Sequence, residues 1–289
     1  RDHGAIRFVD LRDRYGITQV VIDPDELESA APAKLAYEYC IAVEGVVRKR
    51  PDNMVNASML TGEIEVLSKN VEILSGCPPL PFMIDERTEA REDLRLEYRY
   101  LDLRSFTMQR NIKLRHDVAF AVREYLNGEG FLEIETPTLI RSTPEGARDF
   151  LVPSRLHPGK FYALPQSPQI FKQILMVSGY DKYFQIPRRY RDEDARGDRQ
   201  LEHTQIDIEM SFVSKDDVFD VVERMLAHVF RKAVNVELQI PFQRIAYDDA
   251  MNRFGTDKPD LRFGLELQDF SQFVPGSGFK IFEEVVASG

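Results

Sequence analysis

A chain of 289 residues allows about two domains at roughly 100–200 residues each. With 43% apolar and 30% charged residues, 16 Gly, 16 Pro and only two cysteines, it is neither a disordered tract, nor a collagen-like repeat, nor a disulfide-framed miniprotein. A net charge of −10, from 38 basic and 48 acidic residues, argues against sequence-blind coating of nucleic acid but leaves room for a local basic surface.

The start, RDHGAIRF, has no signal-peptide pattern, and no apolar stretch approaches the roughly 20 residues of a membrane span. Two sparse cysteines, Cys40 and Cys77, suit a reducing compartment, so a cytoplasmic protein is expected. Residues 6–10 and 17–22 read as β-rich runs joined by a turn at RDRYG, and residues 41–47 and 62–67 add two more strands. Arg48, Lys49 and Arg50 open a basic loop between the latter pair, and a helical stretch is expected near residues 33–39. This pattern fits a small β-barrel of OB type over residues 1–78, entered in mid-meander with its first strand missing. On pattern alone a small β-sandwich fits equally well. Three prolines after Cys77 end the unit, and residues 79–106, charged and helix-prone, read as a hinge.

Beyond the hinge, apolar spacing predicts an amphipathic helix over residues 107–127, stopped by Gly128 and Gly130, and a second over 216–234. Strands are expected at 131–134, 182–186 and 204–212. The last places Ile206, Ile208, Met210 and Phe212 on one face, opposite Gln205, Asp207 and Glu209, which belong inside a sheet only if they line a polar cavity. The second part, residues 107–265, is therefore expected to be α+β, an antiparallel sheet flanked by helices.

Charge concentrates between Arg188 and Phe212. A solvated hairpin tip is the plain reading of such a cluster. Against it, Arg191 closes a strand, which would hold its guanidinium fork rigidly for a phosphate or carboxylate. Residues 142–150, STPEGARDF, gather Glu145, Arg148 and Asp149 on a loop bent by Pro144 and Gly146: either a lid over a zwitterion or a surface turn. In PQSPQIFK, Ser167 can cap a helix opened by Pro168, with Gln169 and Lys172 three apart on one face, exposed helix residues on the plain reading. His116, His157 and His228 have no metal-ligand spacing with a carboxylate and are read as structural, with no metal site expected.

These residues closely resemble the aspartyl-tRNA synthetase family of bacterial and organellar type, class II enzymes of the subgroup shared with the lysyl and asparaginyl enzymes. GFLEIETP (130–137) is similar to motif 1, the dimer-forming strand ending in Pro137, and YRDEDARGDRQLEHTQIDIE (190–209) to motif 2. STPEGARDF resembles the mobile loop over the amino acid, QSPQIFK the aspartate-selective helix start, and IRFVDLRDRYGITQVVI the anticodon-holding OB-fold; RYLDLR (99–104) and DKPDLRFG (257–264) fit the same family.

The resemblance implies an ATP-dependent ligase: aspartate and ATP give aspartyl-adenylate and pyrophosphate, and a terminal ribose hydroxyl of tRNA(Asp) then takes the aspartyl group. Arg191 and Glu193 would be the catalytic residues, Arg191 bridging the aspartate carboxylate and the ATP α-phosphate. Glu145 would approach the α-ammonium, and Gln169 and Lys172 would hold the rest of the aspartate. Asp192, Glu193, Gln200 and His203 would face ATP, with Mg²⁺ arriving on the nucleotide. In the barrel, Phe8 would stack on an anticodon base while Arg1, Gln19 and Glu65 offer hydrogen bonds. His3 would mark the relaxed form that also charges tRNA(Asn), although a surface histidine in a β-turn is the plain alternative. A homodimer through motif 1 is implied as well.

The chain departs from the family pattern in four places. His203 stands where relatives carry the phenylalanine that stacks on adenine, preceded by Leu201 where proline is common. No motif 3 follows, residues 266–289 look like the truncated entrance to the bacterial insertion domain, and the first barrel strand is lacking. The chain is therefore expected to be part of a longer protein, inactive by itself. Two other readings stand beside the ligase: a non-catalytic RNA-binding paralogue, and a ligase of the same fold acting on a small amine, which the anticodon-like barrel disfavours.

Overall fold

A computed structural model describes the chain except residues 1, 29, 31, 33, 85–88, 144, 195–198 and 289; at residues 2 and 3 it describes only the backbone. The chain divides into two compact units, Arg1–Arg110 and Asn111–Gly289.

The first unit carries β1 (Asp2–His3), β2 (Ile6–Arg12), β3 (Ile17–Ile22), β4 (Cys40–Lys49) and β5 (Ile64–Ser75) in one sheet of order β1-β2-β3-β5-β4. Between β2 and β3, the Asp13 carboxylate accepts from the backbone N–H of Tyr15 and Gly16, which closes the expected turn. β3 and β5 run parallel, Val20 opposite Val66, while β4 and β5 pair antiparallel with a register shift at Glu44/Gly45. A Cβ on Gly45 would lie 2.3 Å from the Leu67 carbonyl oxygen, so the shift needs glycine. Val20, Ile22 and Val71 form the core, with Val9, Leu11, Leu35, Ile41 and Val43 packed around them. β5 extends to Ser75, well past the expected end at residue 67.

The helix expected at 33–39 is absent from the described residues 34–39, which form loop and turn. Glu38 sits at φ 61°, a left-handed value no helix continues through, and its carboxylate is held by Arg12 and by Arg104. Tertiary ion pairing and the burial of Leu35 here outweigh helix propensity. Two short helices follow, α1 (Glu92–Glu97) and α2 (Arg99–Asp102), tied together where the buried Asp102 carboxylate accepts from Arg95 at 2.8 Å and from Arg99.

In the second unit, α3 (Phe106–Gly128) contributes its residues from Asn111 onward. Next come β6 (Leu132–Glu133), β7 (Leu151–Pro153), β8 (Phe161–Ala163), α4 (Gln169–Val177), β9 (Lys182–Gln185), β10 (Arg188–Tyr190), β11 (Glu202–Thr204) and β12 (Asp207–Met210). They are followed by α5 (Lys215–Val234), α6 (Tyr247–Phe254) and α7 (Lys280–Ser288). The central sheet has the order β12-β9-β6; β12 pairs antiparallel with β9, but β6 runs parallel to β9. The wholly antiparallel sheet expected from the sequence is thus a mixed one, because the chain crosses through the loop, β8 and α4 before β9 arrives beside β6.

Ala121, Val122 and Leu126 of α3, Phe131, Phe184 of β9, and Val221, Met225 and Val229 of α5 make the core on one side of this sheet. Ser214 and Asp217 form a reciprocal capping box at the start of α5, and Asn235 closes its end at φ 54°.

The single strand expected at 204–212 is two, β11 and β12. Ile208 and Met210 pack on the core as the alternation requires, but Ile206 is 40% and Phe212 99% exposed. Phe212 lies past the end of β12 at φ 55°, where the pleat no longer dictates which way a side chain faces.

Candidate active site and nucleic-acid interface

The face of the β9/β12 pair opposite the apolar core is polar. Tyr183, Gln185 and Asp207 are buried there, Asp207 being the direct cross-strand partner of Gln185. Tyr183 donates its hydroxyl to Gln185 Oε1 at 2.9 Å, and Thr136 donates to the same oxygen at 3.0 Å. From the first turn of α4, Lys172 reaches this face, its Nζ lying 3.1 Å from Asp207 Oδ1 and 3.0 Å from Glu209 Oε2. Burial opposes the charge on Lys172, but Glu209 and Asp207 outweigh it and hold its pKa above the ordinary value. Burial, reinforced by the negative charge of Asp207, likewise raises the Tyr183 phenol above its ordinary range.

Arg189, in the middle of β10 and opposite His203 of β11, is 1% exposed. Its Nε and Nη2, like Asp207 Oδ2, have no hydrogen-bond partner among the described residues. Burial lowers its pKa, against the pull of Asp207, Tyr183 and Glu145.

The loop at 142–150 is fastened to the start of α4. Buried Gln166 donates to the Ala147 carbonyl at 2.8 Å and to Asp149 Oδ1 at 2.5 Å, and accepts from the Ala147 N–H at 3.2 Å. Glu145 accepts from the Ser167 hydroxyl and, at 3.2 Å, from Thr143. Ser167 in turn accepts from the Gln169 N–H at 3.2 Å. Helix α4 begins at Gln169 with Pro168 as its N-cap, one residue later than the capping pattern at Ser167 predicts. The chain Glu145–Ser167–Gln169 therefore brings two of the expected aspartate-site residues together, and Lys172 follows one turn along α4.

Motif-2 residues frame the other side. β10 ends at Tyr190, so Arg191 lies just past the strand and is exposed; its N–H still bonds the Leu201 carbonyl at 2.9 Å, continuing the hairpin by one rung. Asp192 donates its N–H to the Arg148 carbonyl at 3.0 Å, joining this segment to the 142–150 loop. An open cavity of about 440 Å³ lies there, with Gly146 and Arg148 on one wall and Asp192, Glu193, Asp194 and Arg199 on the other. Of the residues expected to face ATP, Asp192 and Glu193 line it. Arg191, Gln200 and His203 are exposed and are not among its lining residues.

In the first unit, Gln19 donates to Glu65 Oε2 at 2.9 Å and Arg48 to Glu65 Oε1 at 2.8 Å. Glu65 is 3% exposed with both oxygens engaged, so it orients Gln19 and the half-exposed Arg48. Phe8 lies on β2 opposite Val21 and is half-buried. Arg1 and the side chain of His3 fall outside the described residues; the His3 backbone pairs with Ile6.

Sequence reading singled out neither Arg48, Gln166 nor Arg189 as a site residue. The one signal for Arg189 is its spacing: two residues from Arg191, it shares that residue's side of an extended chain.

Residues 91–276 match the family described as tRNA synthetases class II (D, K and N), and residues 1–74 match the OB-fold nucleic acid binding domain. The chain belongs to the class II tRNA synthetases of this D, K and N group, with an OB-fold domain ahead of the synthetase domain. Among curated relatives, the aspartate–tRNA(Asp/Asn) ligase of Treponema denticola is 62% identical over all of this chain and 49% of its own length. That of Thermotoga maritima is 56% identical over all of this chain and 50% of its own length. The chain spans about half the length of the curated relatives it matches. Among solved structures, the asparaginyl-tRNA synthetase of Pyrococcus horikoshii in complex with asparaginyl-adenylate aligns at TM-score 0.70 and 24% identity, over 82% of this chain and 53% of its own. The asparaginyl-tRNA synthetase of Entamoeba histolytica aligns at TM-score 0.72 and 21% identity, over 86% and 59%. At these identities the two structures speak for the fold.

Proposed function

We propose that the chain is the tRNA-binding and amino-acid-activating part of an aspartate–tRNA ligase. The observation that carries this reading is Lys172: a mostly buried ammonium, fixed by Asp207 and Glu209 one turn along α4 from Gln169 and the Glu145 contact. A pocket holding both charge signs suits an acidic amino acid, with Lys172 and Gln169 toward its carboxylate and Glu145 toward its ammonium. Arg191 and Glu193 act at the reacting phosphate, and Asp192, Gln200 and His203 hold the nucleotide. Neither half-reaction needs an enzyme nucleophile, so catalysis is positioning and charge stabilisation.

The acids lining the 440 Å³ cavity face where ATP would enter. Among the described residues no group of three or more His, Cys, Asp or Glu is arranged to hold a metal ion. Mg²⁺ would arrive on ATP itself, bound by phosphates and water and supplying charge neutralisation there.

Residues 1–78 form the anticodon domain in this reading, 79–106 the hinge, 107–265 the catalytic core and 266–289 the entrance to an insertion domain. Phe8, Gln19 and Arg48 face the anticodon, with buried Glu65 orienting the last two. β6, which carries motif 1, has β9 on only one side among the described residues, and Leu132 is 51% exposed, so its free edge suits a homodimer contact. Both relatives' names join tRNA(Asp) with tRNA(Asn), in keeping with the relaxed specificity assigned to His3. No helix among the described residues is long and apolar enough to cross a membrane.

ATP–pyrophosphate exchange by the full-length protein tests this reading. Exchange should require L-aspartate, fail with lysine and asparagine, and vanish in Arg191→Ala. Normal exchange by Arg191→Ala would remove the role of that residue, and tRNA binding without exchange in the wild type would favour the non-catalytic paralogue. Charging of a purified tRNA(Asn) transcript tests the relaxed specificity.

A further inference from the structure

Arg189 has the most anomalous chemistry among the described residues. A guanidinium 1% exposed should be surrounded by acceptors, because an unpaired buried charge is costly. Yet among the described residues Nε and Nη2 have no acceptor, and no carboxylate forms an ion pair with Arg189. These two nitrogens are not an arbitrary pair. They form the side-on edge of the guanidinium, two parallel N–H groups spaced to match the two oxygens of one carboxylate. The same edge is used elsewhere in this chain: Arg253 grips Glu266 through Nε at 3.1 Å and Nη2 at 2.6 Å, and Arg262 grips Asp260 through Nε at 2.9 Å and Nη2 at 2.5 Å. In Arg189 that edge is buried and has no partner among the described residues.

Its surroundings say which carboxylate fits. The residue stands on β10, two positions before Arg191, and Tyr190 between them donates its N–H to the Pro165 carbonyl at 3.2 Å, next to Gln166 and the Glu145–Ser167 contact. Neither acid closest to it electrostatically pairs with it, although Asp207 Oδ2 has no partner among the described residues. Asp207 Oδ1 accepts from Lys172, and both Glu145 oxygens accept from hydroxyls.

We propose that the Nε/Nη2 edge of Arg189 binds a carboxylate of the acidic amino-acid substrate, making Arg189 a second substrate-holding cation beside Lys172. A fork that donates to two oxygens rejects an amide, which presents one oxygen and one NH₂, so the same contact favours the acid over its amide. The assignment rests on the function proposed above for this pocket, and the test separates the two.

L-aspartate binding to the full-length protein, measured by calorimetry without ATP, is compared in wild type, Arg189→Met and Arg189→Lys, with exchange kinetics alongside. Arg189→Met should weaken aspartate at least tenfold and raise KM for aspartate by a similar factor, with KM for ATP within twofold of wild type. Arg189→Lys, which keeps the charge and loses the fork, should fall between. Unchanged aspartate affinity in folded Arg189→Met overturns the assignment, as does a loss of thermal stability with no change in affinity. If the methionine variant does not fold, aspartate-induced thermal protection of Arg189→Lys decides, and protection equal to wild type overturns it. A wild type that binds aspartate without exchange argues against the ligase reading alone, whereas one that does not bind aspartate at all removes both.

Discussion

Lys172 Nζ rests 3.1 Å from Asp207 Oδ1, bridging the first turn of α4 and strand β12, with side chains 12% and 3% exposed. Such a pair is weak evidence of net stability, because desolvating both charges offsets most of their attraction, but breaking it leaves a bare buried charge. Lys172→Met is therefore expected to lower stability by about 3 kcal/mol in chemical denaturation. It should also raise KM for aspartate by at least about tenfold, equivalent to about 1.4 kcal/mol. Double replacement, Lys172→Met with Asp207→Asn, should recover part of the stability and none of the affinity.

Tyr183 gives a pH signature. Its phenol is raised above the ordinary value of about 10, chiefly by burial. The unfolded chain thus loses this proton at lower pH than the folded one, so the contribution of Tyr183 to stability is intact below about pH 10 and declines above it. In Tyr183→Phe the alkaline fall in stability should be shallower, read as the pH dependence of the denaturation midpoint between pH 9 and 11. Equal slopes in both proteins would contradict the shift.

Gln166 pins the 142–150 loop through three hydrogen bonds to Ala147 and Asp149. Gln166→Leu keeps the buried volume and removes all three, each worth about 1 kcal/mol. Limited proteolysis should then cut within 142–150 several times faster than in wild type, and KM for aspartate should rise with little change in KM for ATP. Unchanged cleavage would show that the loop is held by other contacts.

Glu65 orients Gln19 and Arg48 within the first unit. Glu65→Ala should weaken tRNA(Asp) binding about tenfold in a filter or fluorescence assay, since both donors lose their anchor. Aspartate-dependent exchange without tRNA should stay within twofold of wild type. A fall in exchange would instead place Glu65 in the general stability of the protein.

Helix α5 was legible in the sequence. Apolar spacing over 216–234 set its buried stripe, because helix periodicity is local, whereas the Ser214–Asp217 cap came from the structure. The polar face of β12 was legible as well: alternation placed Asp207 and Glu209 together, and they meet Lys172. The segment 34–39 misled because what decides it is distant, with Arg12 and Arg104 converging on Glu38 from elsewhere in the chain. Phe212 misled because alternation holds only while the pleat lasts. The motif resemblance pointed to Lys172 and Gln169 as expected aspartate-site residues, but not to Gln166, whose amide acts on a loop 17 to 19 positions away.

By itself the sequence determined the order of the two domains, the helices whose apolar faces repeat at 3.6 residues, and the blocks that place the chain among class II synthetases. These depend on neighbours along the chain, which a linear reading contains. The tertiary structure alone decided the parallel seating of β6 on β9, the engagement of Glu65, and the burial of Arg189 with one edge unpaired among the described residues. Each is a question of which distant groups enclose a side chain, and desolvation and pairing are properties of that enclosure, not of the residue's place in the chain.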